Sequence, residues 1–396
     1  LGFEANVFHY GALAGACERE GNWSKAVTLL ELMGWAMVRN DAIACSSLVS
    51  ACGKCSEWLL ALEALGAMET GRAGVDTVLY NAAISACEKG DEWRRALELL
   101  RGASGRAVQA DTVTCSAAIS ACENLGKWES AFELLHAMWR SGLEVDAQTC
   151  NAAVSACEKG GEWAQAVHAA ATMTMRSILT TTVTYNAAIS ACEKGRTSSH
   201  ALRLFSSMTA EALEADAVTC NALISACEKC AEWFQALVLL DAMARSALKA
   251  STVTCSAAIS ACEKGDAWAG ASRLLADVFG RKVEMNTVSC NAAISACGEG
   301  GEWLMAIVCL RAMQAGGVET DTTTLNAVVA GCGKSGSWRS ALEFLGTAQR
   351  YWIGADVPAC AAALGACEPR GRHAQALACL RVLAGERATA GLSRLS

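Results

Sequence analysis

The chain has 396 residues, a formal net charge of −7, 2 prolines and 22 cysteines. A hydrophobic content of 53% with 18% charged residues excludes a disordered chain, and no uncharged run reaches the roughly 18 apolar residues of a membrane-spanning helix. The acidic balance also lacks the strongly basic bulk charge usual in a nucleic-acid binder, so any such function must come from a local pattern.

Length alone suggests two or three domains, but the chain repeats itself with a period of 35 residues, and self-similarity outranks that prior. Residues 1–6 read as the tail of a preceding unit, with Asn6 where Asp76 and Asp111 stand elsewhere. Together with the initial leucine, this reads as a fragment or processed chain of a longer array. Eleven units follow: 7–41, 42–76, 77–111, 112–146, 147–181, 182–216, 217–251, 252–286, 287–321, 322–356 and 357–391, with a tail at 392–396.

Within a unit, numbered 1 to 35, apolar residues at positions 4, 8 and 11 (Tyr80, Ile84, Cys87) share one face of an α-helix. Gly90 and Asp91 then read as a helix stop and a new N-terminus. Trp93, Ala96, Leu97 and Leu100 form the face of a second helix, often followed by methionine at position 27 (Met68, Met138, Met173, Met208, Met243, Met313). Each unit is therefore a helical hairpin. Hairpins that cannot bury their own stripe stack to share a core. The expected fold is all-α, a right-handed α-solenoid.

Eleven cysteines fall at position 11: Cys17, Cys52, Cys87, Cys122, Cys157, Cys192, Cys227, Cys262, Cys297, Cys332 and Cys367. Beside alanine in nearly every unit, they read as packing thiols in a reducing compartment and not as a disulfide scaffold. Tryptophan at position 17 in nine units (Trp23, Trp58, Trp93, Trp128, Trp163, Trp233, Trp268, Trp303, Trp338) reads as inter-hairpin core and not as a base-stacking row.

The remaining face of the first helix aligns positions 2, 5, 9 and 13. Position 2 is valine in Val78, Val113, Val183, Val218, Val253 and Val288. Position 5 is Asn or Ser in nine units and position 9 is mostly serine. Position 13 is basic in eight units: Arg19, Lys54, Lys89, Lys159, Lys194, Lys229, Lys264 and Lys334. A stripe offering one small apolar residue, one amide or hydroxyl and one cation per hairpin suits single-stranded nucleic acid. The bland alternative is a solvated face whose lysines meet the glutamates of position 12 (Glu88, Glu158, Glu193).

The period and the runs VTYNAAISACEKG (183–195) and VTCNALISACEKC (218–230) resemble pentatricopeptide repeat proteins of the P-type, with uniform 35-residue repeats, over essentially the whole chain. The proline often found near the end of such a unit is absent, and cysteine replaces the usual leucine at position 11. The resemblance implies RNA binding at one base per repeat. Positions 5 and 35 read the base, position 2 clamps it, and the lysines Lys54, Lys89, Lys159, Lys194, Lys229, Lys264 and Lys334 face phosphate. An Asp at position 35 is an acceptor only and suits the imino N–H of uracil or guanine, whereas Asn there can donate to adenine or cytosine.

Unit by unit, Ser46 with Asp76 implies G, Asn81 with Asp111 U, and Ser116 with Asp146 G. Asn151 with Thr181 implies a pyrimidine, Asn186 with Asp216 U, Asn221 with Ser251 C, and Ser256 with Asn286 A. Asn291 with Asp321 and Asn326 with Asp356 each imply U. Gly11 with Asp41 and Ala361 with Gly391 form no usable pair, and Gln148 and Thr323 depart from valine at position 2. The implied target is 5′-GUGYUCAUU-3′. The family also implies an organelle, mitochondrion or chloroplast (plastid), a role in RNA processing, modification (editing), stability or translation, and recruitment of an RNA-processing enzyme. It implies no cofactor, membrane or small-molecule substrate.

No Walker or dinucleotide motif and no HExxH is present. The pairs Cys52/Cys55 and Cys227/Cys230 lie too far apart to share a zinc ion, so no metal site and no catalytic residue is expected. The rival reading is a protein-binding solenoid scaffold, consistent with the pI of about 5.4.

Overall fold

The computed structural model describes residues 47–341 apart from 48, 54–56, 71–76, 106–109, 247, 281–285, 336 and 338–339, with a few isolated positions among residues 12–28. Every element among the described residues is an α-helix, and helices alternate as the period requires: Thr77–Lys89 and Trp93–Gly105 in the third unit, Thr112–Asn124 and Trp128–Ser141 in the fourth, and so on to Thr322–Lys334. The fold is an all-α helical solenoid of repeats. It divides into two compact bodies, residues 1–195 with 203–213, and residues 196–202 with 214–396.

In each body the first helices of successive units stack on one another, and second helices pack beside them. Ile84, Cys87, Ile119, Cys122 and Cys157 in the first body are wholly buried, as are Ile259, Cys262, Ile294 and Cys297 in the second. The position-27 methionines Met138, Met173, Met208, Met243 and Met313 are buried too, while the side chain of Met68 lies outside the described residues. The described cysteines are all free thiols. Burial pushes Cys87 up to about 11 and Cys157 to about 12, so these thiols stay protonated packing groups. Cys17, Cys55 and Cys367 lie outside the described residues.

The turn between the helices differs from the expectation. Position 15 takes a left-handed conformation in seven successive units, from Asp91 (φ 58°) and Gly126 (φ 63°) to Asp266 (φ 54°) and Gly301 (φ 73°). The next N–H then reaches back to the position-11 carbonyl, as Glu92 N does to Cys87 O at 2.9 Å. Asp91 is therefore a turn residue and not the cap of the second helix. The second helices beginning at Trp128, Trp163, Trp233 and Trp303 have no side-chain cap.

The tryptophans pack between neighbouring hairpins, Trp268 and Trp303 against the core, and they are half-buried, with Trp233 36% exposed. Trp163 lies against Gly195 at position 14 of the next unit, and Trp58, Trp128, Trp233 and Trp268 lie against Gly90, Gly160, Gly265 and Gly300. A Cβ on any of these glycines would run into the indole. The tryptophan thus joins neighbouring hairpins at the rim of the core, through a contact that needs glycine opposite. Trp338 and Trp23 lie outside the described residues.

Candidate functional site

The first helices begin on an N-cap, and that cap is the position-35 residue of the preceding unit. Asp111, Asp146, Thr181, Asp216, Ser251, Asn286 and Asp321 all have extended backbone and accept from the N–H of the Thr or Ser three residues on. Thr114 N donates to Asp111 Oδ1 at 2.8 Å and Thr324 N to Asp321 Oδ1 at 2.8 Å. In five of these caps the threonine hydroxyl also accepts from the cap's own N–H, closing a reciprocal box. Capping alone favours Asp, Asn, Ser and Thr at position 35. The residue type there is consequently not proof of base reading.

What capping does not require is the side chain at position 5. Asn81 Nδ2 donates to both carboxylate oxygens of Asp111, each at 3.3 Å, and Thr114 donates to Asn81 Oδ1. Asn151 Nδ2 meets Thr181 Oγ1 at 3.4 Å while Thr184 Oγ1 donates to Asn151 Oδ1 at 2.5 Å. Asn291 repeats the arrangement with Asp321, at 3.1 Å, and Thr324, at 2.5 Å. In the seventh unit Thr254 joins Ser251, at 2.9 Å, to Asn221. Where position 5 is serine the bridge persists. Ser116 meets Thr149 at 2.6 Å, which donates to Asp146 at 2.6 Å, and Ser256 meets Ser289, which donates to Asn286 at 2.6 Å.

Positions 5 and 35 of one unit are thus tied together by position 3 of the next. Those position-3 residues, Thr114, Thr149, Thr184, Thr219, Thr254, Ser289 and Thr324, are 0–2% exposed. They escaped the sequence reading. The signal was present: seven consecutive units hold Thr or Ser there, in helical phase with the buried alanines at positions 7 and 10, such as Ala118 and Ala121.

The tie also orients the amide. A carboxylate only accepts, so the Asn nitrogen must face Asp and its oxygen the threonine. In Asn81 one N–H is forked over the carboxylate, and the other remains for a ligand. The carboxylates are held ionised. Partial burial opposes charge on Asp111 but is outweighed by hydrogen bonds from Thr114, Asn81 and Val113, so its carboxyl falls below the usual range. Asp146 is lowered by Thr149. For Asp321, bonds from Thr323, Thr324 and Asn291 overcome desolvation and bring it to about 2.

Beside these pairs Val78, Val113, Val183, Val218, Val253 and Val288 are 57–73% exposed. Three position-13 lysines reach back to the preceding unit's position-12 glutamate. Lys159 meets Glu123 at 3.6 Å, Lys194 meets Glu158 at 3.1 Å and Lys264 meets Glu228 at 2.9 Å. Lys334 lies 4.0 Å from Glu299, which itself stands at position 13. Ser190 at position 9 donates to the same Glu158 at 2.8 Å. Burial pushes the carboxyls of Glu88, Glu123 and Glu263 up, partly countered by nearby lysines. Lys89 and Lys229 occupy the equivalent helix position.

Asn186 and Asp216 fall in different bodies and are each described separately. Ser46, Asp76, Lys54 and Asp356 lie outside the described residues, so the pairs Ser46/Asp76 and Asn326/Asp356 are not seen together. Among the described residues no group of three His, Cys, Asp or Glu converges on a metal site, and no helix is long and apolar enough to cross a membrane.

Three family models match the chain: PPR repeat over residues 8–35, 78–102, 113–143, 218–247, 288–318 and 323–350, PPR repeat family over 180–229, and pentatricopeptide repeat domain over 133–194. Together they span more than half of it. The chain belongs to the pentatricopeptide repeat family. Among solved structures it is similar to the pentatricopeptide repeat protein PPR10 in complex with an 18-nt psaJ RNA element, at 18% identity and a TM-score of 0.60, over 96% of this chain and 56% of that one. This chain therefore spans little more than half the length of that relative, and the likeness speaks for the pentatricopeptide fold. The pentatricopeptide repeat protein PPR10 from maize aligns at 18% identity, over 97% of this chain and 64% of the other, with a TM-score of 0.45. No curated protein matches the chain.

Proposed function

We propose that this pentatricopeptide repeat chain binds single-stranded RNA at one base per repeat, with positions 5 and 35 reading the base edge and the position-2 valines gripping its faces. The observation that carries this is the tie between Asn81 and Asp111, repeated in kind along each body. It leaves an amide N–H and lone pairs of an ionised carboxylate that the cap does not use, beside a valine more than half in water. An N–H and a carboxylate oxygen side by side match the carbonyl and imino N–H of uracil. The RNA bound to PPR10 supports the same ligand class here.

The lysines contribute less than their number suggests. Exposed ion pairs such as Lys264 with Glu228 are weak, about 0–1 kcal/mol, so a phosphate can take the lysine over, but only by exchange with its glutamate. Affinity on this reading comes from base contacts more than from bulk charge. A role in organellar RNA processing, editing, stability or translation, with a recruited RNA-processing enzyme, extends the proposal.

Filter binding with 5′-GUGYUCAUU-3′ and a shuffled nonamer of the same composition tests it. The target should bind at least about tenfold more tightly at physiological salt, equal to about 1.4 kcal/mol. Equal binding of both would exclude base reading. The rival scaffold reading has its own support in the exposed Phe234, Val238, Leu304 and Val308 on second helices, and predicts no nonamer binding at all.

A further inference from the structure

Each tie described above includes a group from the next unit, the position-3 hydroxyl, and in three of them it is the sole link. Among the described residues Asn221 has no direct bond to Ser251. Thr254 joins them, donating to Asn221 Oδ1 at 2.5 Å and lying 2.9 Å from Ser251 Oγ. Ser116 reaches Asp146 through Thr149, and Ser256 reaches Asn286 through Ser289. Where positions 5 and 35 do touch, their contact is the longer one. Asn151 stands 3.4 Å from Thr181 but 2.5 Å from Thr184, and Asn291 stands 3.1 Å from Asp321 but 2.5 Å from Thr324. The last torsion of an asparagine side chain is broad, so the bond to Oδ1 is what fixes where the amide N–H points.

Neither capping nor packing accounts for this hydroxyl. The cap uses the N–H of position 3, and the hydroxyl adds to it only where the reciprocal box closes. After Asp146 and Asn286 no such box closes, yet Thr149 and Ser289 keep their bridges. Packing alone would favour an apolar side chain at a place 0–2% exposed, because burying a hydroxyl carries a desolvation cost. The third unit takes that option. Its position 3 is Leu79, wholly buried, and the eleventh unit has Ala359 there. A hydroxyl therefore follows the pairs of units three to nine, and none follows Ser46/Asp76 in the second unit or Asn326/Asp356 in the tenth.

We propose that the position-3 hydroxyl determines whether the preceding unit selects its base: units three to nine discriminate, while units two and ten hold a nucleotide without choosing among bases. The proposal rests on the base-reading function above and confines selection to bases two to eight of the nonamer. At 2% and 1% exposure, Thr114 and Thr254 are too buried to meet a base. They are positioning residues, each acting through the pair of the unit before its own, and that unit reads only when the next hairpin is stacked on it.

Fluorescence-anisotropy titrations of nonamers varied at one base test it, with G or U at base one, U or G at base two, and C or A at base six. The wild type should prefer U at base two and C at base six by about tenfold, the discrimination one hydrogen bond carries. At base one, whose pair is followed by Leu79, it should bind G and U within about threefold of each other. Thr254→Val should bring C and A within about threefold at base six and leave base two unchanged, and Thr114→Val should do the reverse. Thr254→Ser keeps a hydroxyl, as Ser289 does in the ninth unit, and should keep both selections. A valine variant that weakens all these RNAs alike, with every ratio standing, would overturn the proposal, since a structural role alone has that effect. So would one valine variant that lowers the ratios at bases two and six together. Wild-type selection at base one as strong as at base two would overturn it without any variant. No selection at bases two and six in the wild type would instead defeat base reading itself, and this proposal with it.

Discussion

Position 35 is a residue with two tasks. Its side chain caps the next first helix and, on the proposed function, meets a base. The two are compatible because a carboxylate has more lone pairs than a cap consumes. Asp321 illustrates the electrostatics. Its folded carboxyl titrates near 2, below the ordinary 3.8, because its hydrogen bonds outweigh partial burial. A depressed pKa means that the group's stabilising contribution is complete above the ordinary value and fades as pH falls from about 4 through about 2. Carbon-13 NMR of the Asp321 carboxyl should find a midpoint near 2, while a midpoint at or above 4 would mean that the Thr324–Asn291–Thr323 cage does not hold the anion. Position 3 shows where reading a sequence stops. Threonine there looks like one more polar residue near a helix start, and only its phase with Ala118 and Ala121 shows that it is buried. Its partner lies 33 residues away in Asn81, a proximity that depends on how two hairpins stack.

At the level of elements, the hairpin was legible because its apolar positions keep helical spacing and Gly90 interrupts them. The helices it separates are Thr77–Lys89 and Trp93–Gly105. The turn was read less well. Asp91 has the chemistry of a cap, but the backbone needs a left-handed residue at that place, and this need outweighs the capping preference. Lysine–glutamate contacts were legible only as an alternative at positions 12 and 13; that they join two helices depends on stacking, which brings Lys194 within 3.1 Å of Glu158. The tryptophan–glycine joint gives an element-scale prediction. Gly195 has φ −78°, which alanine tolerates, so the cost of a methyl group there is its collision with Trp163 alone. Gly195→Ala should destabilise by about 1–3 kcal/mol in urea unfolding, and that cost should nearly vanish in a Trp163→Ala background. The same cost in both backgrounds would mean that the indole does not set the requirement for glycine.

Over the whole molecule, a strict 35-residue period made the repeat architecture and the family legible in the sequence. The net charge of −7 gave no hint of an RNA ligand, and the structure gives a physical reason. Charges along the candidate face are arranged as inter-repeat ion pairs, while recognition, on the proposed function, rests on neutral amides, hydroxyls and single carboxylates. A ligand read this way is set by the order of side-chain pairs along the chain and not by total charge. The most direct test is to rewrite one pair and ask whether one base changes. Asn221→Ser with Ser251→Asn gives the seventh unit the position-5 and position-35 residues of the eighth, Ser256 and Asn286, and keeps both a hydroxyl at position 5 to meet Thr254 and a capping residue. Equilibrium binding of wild type and double variant to nonamers with C or A at base six should show the preference move from C in the wild type to A in the variant, by about tenfold in each direction. If both proteins bind both RNAs equally, positions 5 and 35 hold hairpins together and read nothing.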